Sequence, residues 1–160
     1  MRLEIRRGLP SEADALSALA RRAKASWSYP EAWIRAWEND LRFTNDTFER
    51  CTVLVAARGE HIAGVVAFSC ALEERSGEIE HLWVDPSHQG HGIGRALVGE
   101  ALAGARELGI ERLRVESDPN ARAFYERLGA VYRGEAPAPV LDSERTLPVL
   151  ELGTDSSRQP

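Results

Sequence analysis

Three glycines at alternate positions, Gly90, Gly92 and Gly94, follow the run Val84-Asp85-Pro86-Ser87-His88-Gln89 and lead directly into an Ala/Leu-rich stretch. Glycine takes backbone conformations closed to other residues and lets bare N–H groups approach a ligand. A helix starting immediately afterwards adds unpaired N–H groups and the positive end of its dipole, which favour an anion. These residue types in this order suit a phosphate. Two common phosphate loops are excluded by spacing. No Lys follows to complete Gly-x-x-x-x-Gly-Lys-Ser/Thr, and Gly-x-Gly-x-x-Gly counted from Gly90 or Gly92 ends on Arg95 or Leu97. The plain alternative is a tight strand-to-helix turn.

A second block, Asp118-Pro119-Asn120-Ala121-Arg122-Ala123-Phe124-Tyr125-Glu126-Arg127-Leu128-Gly129-Ala130, reads as a short helix. Asp118 suits its N-cap, Pro119 its first position and Gly129 its stop, with Phe124 and Leu128 as its core residues. Together the spacing Gln89-x-x-Gly92-x-Gly94 and this later Asn/Phe-Tyr/Gly helix resemble the GNAT superfamily of N-acetyltransferases, strongly over residues 78–130 and by pattern on the flanks. The resemblance implies a mixed α/β fold: a central, mostly antiparallel sheet with one parallel, splayed strand pair, flanked by helices. It implies that Gln89, Gly90, His91, Gly92, Ile93, Gly94 and Arg95 hold the diphosphate of acetyl-coenzyme A. The strand end Leu82, Trp83, Val84 would run along the pantetheine arm, and Asn120 would contact the cosubstrate. Tyr125 falls where many members donate a proton to the departing sulfur. The plain readings are a half-buried helix aromatic for Tyr125 and a helix-start residue bonding its own backbone for Asn120.

Acetyl transfer needs a neutral amine, a stabilised oxyanion and a protonated leaving thiol. Glu78 and Glu80 are two apart on a strand and share a face, so either is a candidate base; a water chain is the alternative. His81 points to the other face. His88 and His91 share the glycine loop, but no third ligand sits at suitable spacing, and no metal is expected. Trp27 and Tyr29 lie between two helices and are assigned to the acceptor site, whereas Trp33 and Trp37 read as packing. The stretch 134–147, Pro-rich and of mixed charge, would form the other wall.

The remaining sequence bounds these readings. At 160 residues with net charge −5, the chain reads as one N-acetyltransferase domain over 1–152 with a polar tail over 153–160. The absence of a basic run argues against nucleic acid, and no apolar run is long enough for a membrane. Cys51 and Cys70, each alone in a strand-like run, read as buried free thiols, which with the lack of a leader points to the cytoplasm. Lys24 is the only lysine. The expected partner is a small-molecule primary amine, with a homodimer left open. The alternatives are a peptide acceptor or a coenzyme A-binding regulatory module without turnover.

Periodicity predicts a first strand at Leu3 and Ile5, then a helix capped by Ser11 and Asp14 that buries Leu16, Leu19, Ala20 and Ala23. A second helix from Pro30 would carry Trp33, Trp37 and Leu41. A hairpin turns at Gly59-Glu60. The helix after the glycine loop would bury Ile93, Leu97, Ala101 and Leu108 and stop at Gly109. Strands at 113–117, 131–133 and 147–152 complete the order.

Overall fold

The computed structural model of the protein describes residues 2–155. One sheet of seven strands has the order β1 (Glu4–Arg7), β2 (Cys51–Arg58), β3 (His61–Ala71), β4 (Ser76–Val84), β5 (Arg112–Glu116), β7 (Thr146–Gly153), β6 (Val131–Pro137). The helices are α1 (Ala13–Ala25), α2 (Glu31–Ala36), α3 (Glu38–Leu41), α4 (Asn45–Arg50), α5 (Ile93–Glu107) and α6 (Arg122–Arg127). The mixed sheet with a parallel β4–β5 pair is the expected fold. The chain divides into two compact units. One holds the residues up to Phe68 together with His81–Gly99, the other Ser69–Glu80 and the residues from Glu100 on.

The first unit is built on the expected face of α1. Leu16, Leu19, Ala20 and Ala23 are buried, and the first three join Val53, Val55, Val65, Ala67, Leu41 and Phe43 in one core. Their i, i+3, i+4, i+7 spacing meets the period-two burial of Cys51, Val53 and Val55 on β2. The cap of α1 differs from expectation. Ser11 lies in a 3-10 turn over Pro10–Glu12, and the Glu12 carboxylate instead accepts the Leu9 N–H (2.9 Å) and two bonds from Arg6 (3.0 and 2.8 Å). No side-chain hydrogen bond caps α1 itself. The second expected helix is broken at Trp37 into α2 and α3, and α4 was not foreseen. Cys51 is buried but Cys70 only half-buried, which corrects the expectation for that thiol.

In the second unit, β4 and β5 pair in parallel from Ser76↔Arg112 to Ile79↔Val115, where the ladder ends although β4 continues to Val84. β5 pairs antiparallel with β7, and β7 with β6. Leu108, expected in the core, is exposed. The chain leaves α5 at Glu107, Gly109 takes φ +84°, and Ile110 is buried instead. On α6 the buried residue is Tyr125, with Phe124 and Leu128 half-buried. The expected excursion shrinks, because β6 reaches Pro137 and pairs there with Thr146. The expected polar tail begins at residue 153, where the structure still has strand. Gly153 ends β7, and Thr154 is buried, with its hydroxyl donating to the Ile110 carbonyl (2.6 Å). Residues 156–160 of that tail lie outside the described residues. Among the described residues no helix is long and apolar enough to cross a membrane.

Gly77 and Gly99 give opposite stability predictions. A Cβ on Gly77 would overlap the Ser69 carbonyl and come within 2.9 Å of Leu113, whereas one on Gly99, inside α5, meets nothing within 4 Å. Gly77→Ala is expected to lower the free energy of unfolding by about 1–3 kcal/mol. Gly99→Ala should raise it by roughly 0.5–1 kcal/mol, because alanine loses less backbone entropy in a helix. Urea titration of both variants checks the pair, and an unchanged midpoint for Gly77→Ala would refute the packing argument.

Candidate active site

The glycine loop begins where β4 stops, and Asp85 fixes that point. Its backbone N–H donates to the Ala63 carbonyl (2.8 Å). Its carboxylate accepts from the Ser87 N–H (3.1 Å) and hydroxyl (2.8 Å) on one oxygen and from Arg22 (3.0 Å) on the other. A 3-10 turn, Pro86–His88, follows. Gly90 and Gly92 then take φ +84° and +77°, with open space where a Cβ would stand, so glycine is required there by backbone conformation. Gly94 lies inside the first turn of α5 and is not among the residues of positive φ, which corrects the expectation that all three glycines are conformationally special. Ile93 is buried, so only its backbone is available to a ligand. His91 and Arg95 are exposed, and Gln89 reaches back to the Val84 carbonyl (3.5 Å).

The start of α5 is held close to β3 by a glycine the sequence reading passed over. A Cβ on Gly64 would stand 3.0 Å from both Ile93 and Leu97 and 3.2 Å from the Trp83 carbonyl. No acidic residue occupies the first turn of α5. Its leading N–H groups therefore keep their attraction for an anion.

Asn120 and Tyr125 stand in the other unit. The Asp118 carboxylate caps the 3-10 turn Pro119–Ala121, accepting from the Asn120 backbone N–H (2.8 Å) and side-chain amide (2.9 Å), and from Arg145 at 3.4 Å. The Asn120 side chain is thus tied to its own turn. Tyr125 is buried, and burial pushes its phenol well above the ordinary value, so it is protonated across the neutral range. Of the two candidate bases, Glu78 lies opposite Arg114 in the parallel register and accepts its guanidinium at 2.5 Å. Glu80 is half-buried two residues on.

His81 lies on the other face of β4, as expected. It is buried, its ring 4.3 Å from that of Phe43, and its Nδ1 accepts from the Trp83 indole N–H (3.0 Å). The side chains of Leu82 and Val84 are half-buried. Trp27, Tyr29, Trp33, Trp37 and Trp83 gather around Lys24. Tyr29 stacks on Trp33 (5.9 Å) and meets Trp37 edge-on (5.0 Å), and Trp27 packs against Trp83 (6.4 Å). The ammonium of buried Lys24 lies 4.3 Å from the ring centre of Trp37, 5.2 Å from Tyr29, 5.7 Å from Trp27 and 5.9 Å from Trp83. Ser28, between Trp27 and Tyr29, has φ +60°, uncommon for a residue with a side chain. Lys24 and Trp83 were missed as members of this cluster. Their spacing in sequence gives no sign of it.

A cavity of ≈ 320 Å³ lined by Arg112, Leu128, Arg133 and Glu151 contains none of the candidate residues. The sequence argument against a metal rested on a missing third ligand near His88. The fold supplies His61 and Asp85 there and leaves His91 out.

The sequence profile described as the Acetyltransferase (GNAT) family matches residues 15–130, and the chain belongs to that family. Mycothiol acetyltransferase of Beutenbergia cavernae is 35% identical over 125 residues, covering 74% of this chain and 42% of that protein. Streptothricin acetyltransferase of Streptomyces lavendulae is 38% identical over 92 residues, covering 56% of this chain and 48% of that protein. The chain thus spans less than half the length of these curated relatives. Among solved structures, the ribosomal-protein-S18-alanine N-acetyltransferase of Escherichia coli shares the fold with a TM-score of 0.72 at 20% identity, over 96% of this chain and 94% of that one. The PaiA N-acetyltransferase of Thermoplasma acidophilum, solved with coenzyme A, gives 0.69 at 19% identity, over 96% and 99%.

Asp85 yields a pH-dependent prediction. Burial works against its ionisation, but the Ser87 hydroxyl and amide and the Arg22 guanidinium outweigh it and hold the carboxyl below its usual range. A carboxyl with a lower pKa folded than unfolded stabilises the fold above the ordinary carboxylate range and loses that contribution as pH falls through the folded value. Asp85→Asn is therefore expected to cost about 1–3 kcal/mol at neutral pH. Urea unfolding over a series of falling pH should show the difference from wild type narrowing. A constant difference would mean that the charge of Asp85 contributes nothing.

Proposed function

We propose that the protein is an N-acetyltransferase that moves the acetyl group of acetyl-coenzyme A directly to the primary amine of a small molecule in a ternary complex. The observation that carries this reading is the pair of left-handed glycines, Gly90 and Gly92, feeding the N-terminus of α5, in a chain of the GNAT family. Residues 89–95 are assigned to the diphosphate, the backbone of Leu82, Trp83 and Val84 to the pantetheine arm, and Asn120 to a further contact. The names of the relatives, acetyltransferases of mycothiol, streptothricin and glucosamine 6-phosphate, support a small acceptor. Trp27 and Tyr29 are assigned to its binding.

In this reading the amine nitrogen attacks the thioester carbonyl, the C–N bond forms, and the C–S bond breaks as the tetrahedral intermediate collapses. The amine must shed one proton and the leaving thiolate must gain one. Tyr125 is assigned the second task, since its phenol is protonated across the neutral range and so carries a proton to give. Glu80 is assigned the first task, with Glu78, which accepts the Arg114 guanidinium, as the second candidate. Water is the alternative acceptor of that proton.

Two experiments test the proposal. Calorimetry with coenzyme A should show binding by the wild type and a marked loss in Gly92→Val, because a β-branched residue is strained at this φ and covers the N–H groups of the loop. A panel of small amines and amino-terminal peptides, read by release of free thiol from acetyl-coenzyme A, should find turnover among the small amines; turnover on peptides alone would overturn the acceptor assignment.

The two protonic roles separate by kinetics. Tyr125→Phe should keep fold and coenzyme A affinity while kcat falls about ten- to a thousandfold. Glu80→Gln should lose most at low pH and recover as pH rises and free amine becomes abundant. A pH-independent loss equal to that of Glu78→Gln would remove Glu80 as the base.

A further inference from the structure

We infer that His61, Asp85 and His88 form a binding site for one divalent transition-metal ion of the zinc class, separate from the chemistry of acetyl transfer. His61 opens β3 just after the hairpin turn at Gly59, Asp85 ends the run of β4, and His88 closes the 3-10 turn that follows. Each offers a ligand atom, and the three atoms lie within 4.8 Å of one another. The two imidazole rings face each other at 4.9 Å with their planes tilted by 35°.

The donor set decides the class of ion. Two imidazole nitrogens and one carboxylate oxygen suit zinc, cobalt or nickel and are a poor match for calcium or magnesium, which take oxygen ligands. Three protein ligands leave a fourth position for water. In a tetrahedral site with bonds of about 2.0–2.1 Å the ligand atoms stand roughly 3.4 Å apart, so the cluster must draw in by up to about 1.4 Å. His61, exposed at a strand start, and His88, half-buried on a short turn, can supply that by side-chain rotation.

The local hydrogen bonds prepare His88 for the role. The Ser87 hydroxyl donates its single proton to Asp85 Oδ1 (2.8 Å), so towards His88 Nδ1, at 3.0 Å, it acts as acceptor. That assigns the proton of the ring to Nδ1 and leaves the lone pair on Nε2, the arrangement in which an outer partner orients a metal-binding imidazole. The opposing group is Arg22, whose guanidinium occupies Asp85 Oδ2 at 3.0 Å. Half of the Arg22 side chain is exposed, so it can swing into solvent when a cation takes its place. An ion bound here replaces Arg22 as the counter-charge of Asp85 and ties β3 to the turn ahead of Gly90.

The test uses untagged, metal-stripped full-length protein without coenzyme A, whose thiol would itself bind the metal. Zinc is titrated by calorimetry and cobalt by its visible absorption, which reports coordination directly. One ion per chain is expected. His61→Ala and His88→Ala should each weaken binding about tenfold or more, the least expected for removal of a direct ligand. His91→Ala, from the same loop but outside the cluster, and Cys70→Ser should bind as the wild type does. Arg22→Ala should bind several-fold more tightly, because the competing cation is gone. His61 is exposed, so its substitution reports on ligation and not on folding. Absence of both zinc heat and a cobalt band, undiminished binding in His61→Ala, loss of binding in Cys70→Ser, or weaker binding in Arg22→Ala would each overturn the inference.

Discussion

The first unit turns on one nearly buried carboxylate. β4 is an extended strand until Val84, and a chain with only backbone interactions to guide it has no reason to stop there. Asp85 supplies the reason. Its amide is still bonded to the Ala63 carbonyl, while its side chain has already taken the Ser87 amide, so the residue belongs to the strand and to the turn at once. Arg22, brought from α1, neutralises the charge and fixes the carboxylate in place. A neutral or longer side chain could not satisfy amide, hydroxyl and guanidinium from one position. The geometry of the glycine loop is therefore inherited from a contact that lies outside it.

Helix α5 is set by a complementary constraint of space. An anion-binding helix start is useful only if its backbone N–H groups stay exposed while its side chains are buried. Ile93 and Leu97 meet that condition by packing on β3 at Gly64, where any side chain would push them away. Gly90 and Gly92 answer a different need, since nothing stands near them and their left-handed backbone alone excludes other residues. Three glycines thus serve one helix terminus through two mechanisms, close approach at Gly64 and backbone conformation at the other two.

The sequence was legible where a pattern is local. The i, i+3, i+4 stripe of α1, the alternation in β2, the Asp118 cap and both motif blocks are written in adjacent residues, and the family and fold followed from them. It misled where the outcome rests on a distant partner. The expected Ser11 cap is absent, Ser11 lying in a turn whose Glu12 is bonded to Arg6, and Glu78 looked like an available carboxylate because Arg114, 36 residues later, faces it only through the parallel register. Leu108 continued the helical stripe on paper, but the chain turns out at Gly109 and buries Ile110. The same limit hid the third ligand beside His88, since His61 arrives through strand pairing and not through spacing.

The aromatic cluster shows why packing and binding roles do not divide residue by residue. Trp33 and Trp37 read as helix packing, and Trp27 and Tyr29 as acceptor residues, yet Tyr29 contacts both Trp33 and Trp37 while Lys24 sits over rings from each group. A buried ammonium costs free energy unless it is compensated, and a ring face contributes roughly 0.5–2 kcal/mol to that compensation. Removing one ring therefore weakens the hold on Lys24 and, through it, on the others. Ser28 at positive φ adds strain to the same loop, which the surrounding contacts must offset. The rings that would line an acceptor site are thus the same rings that pack around the lysine, so a substitution among them acts on both.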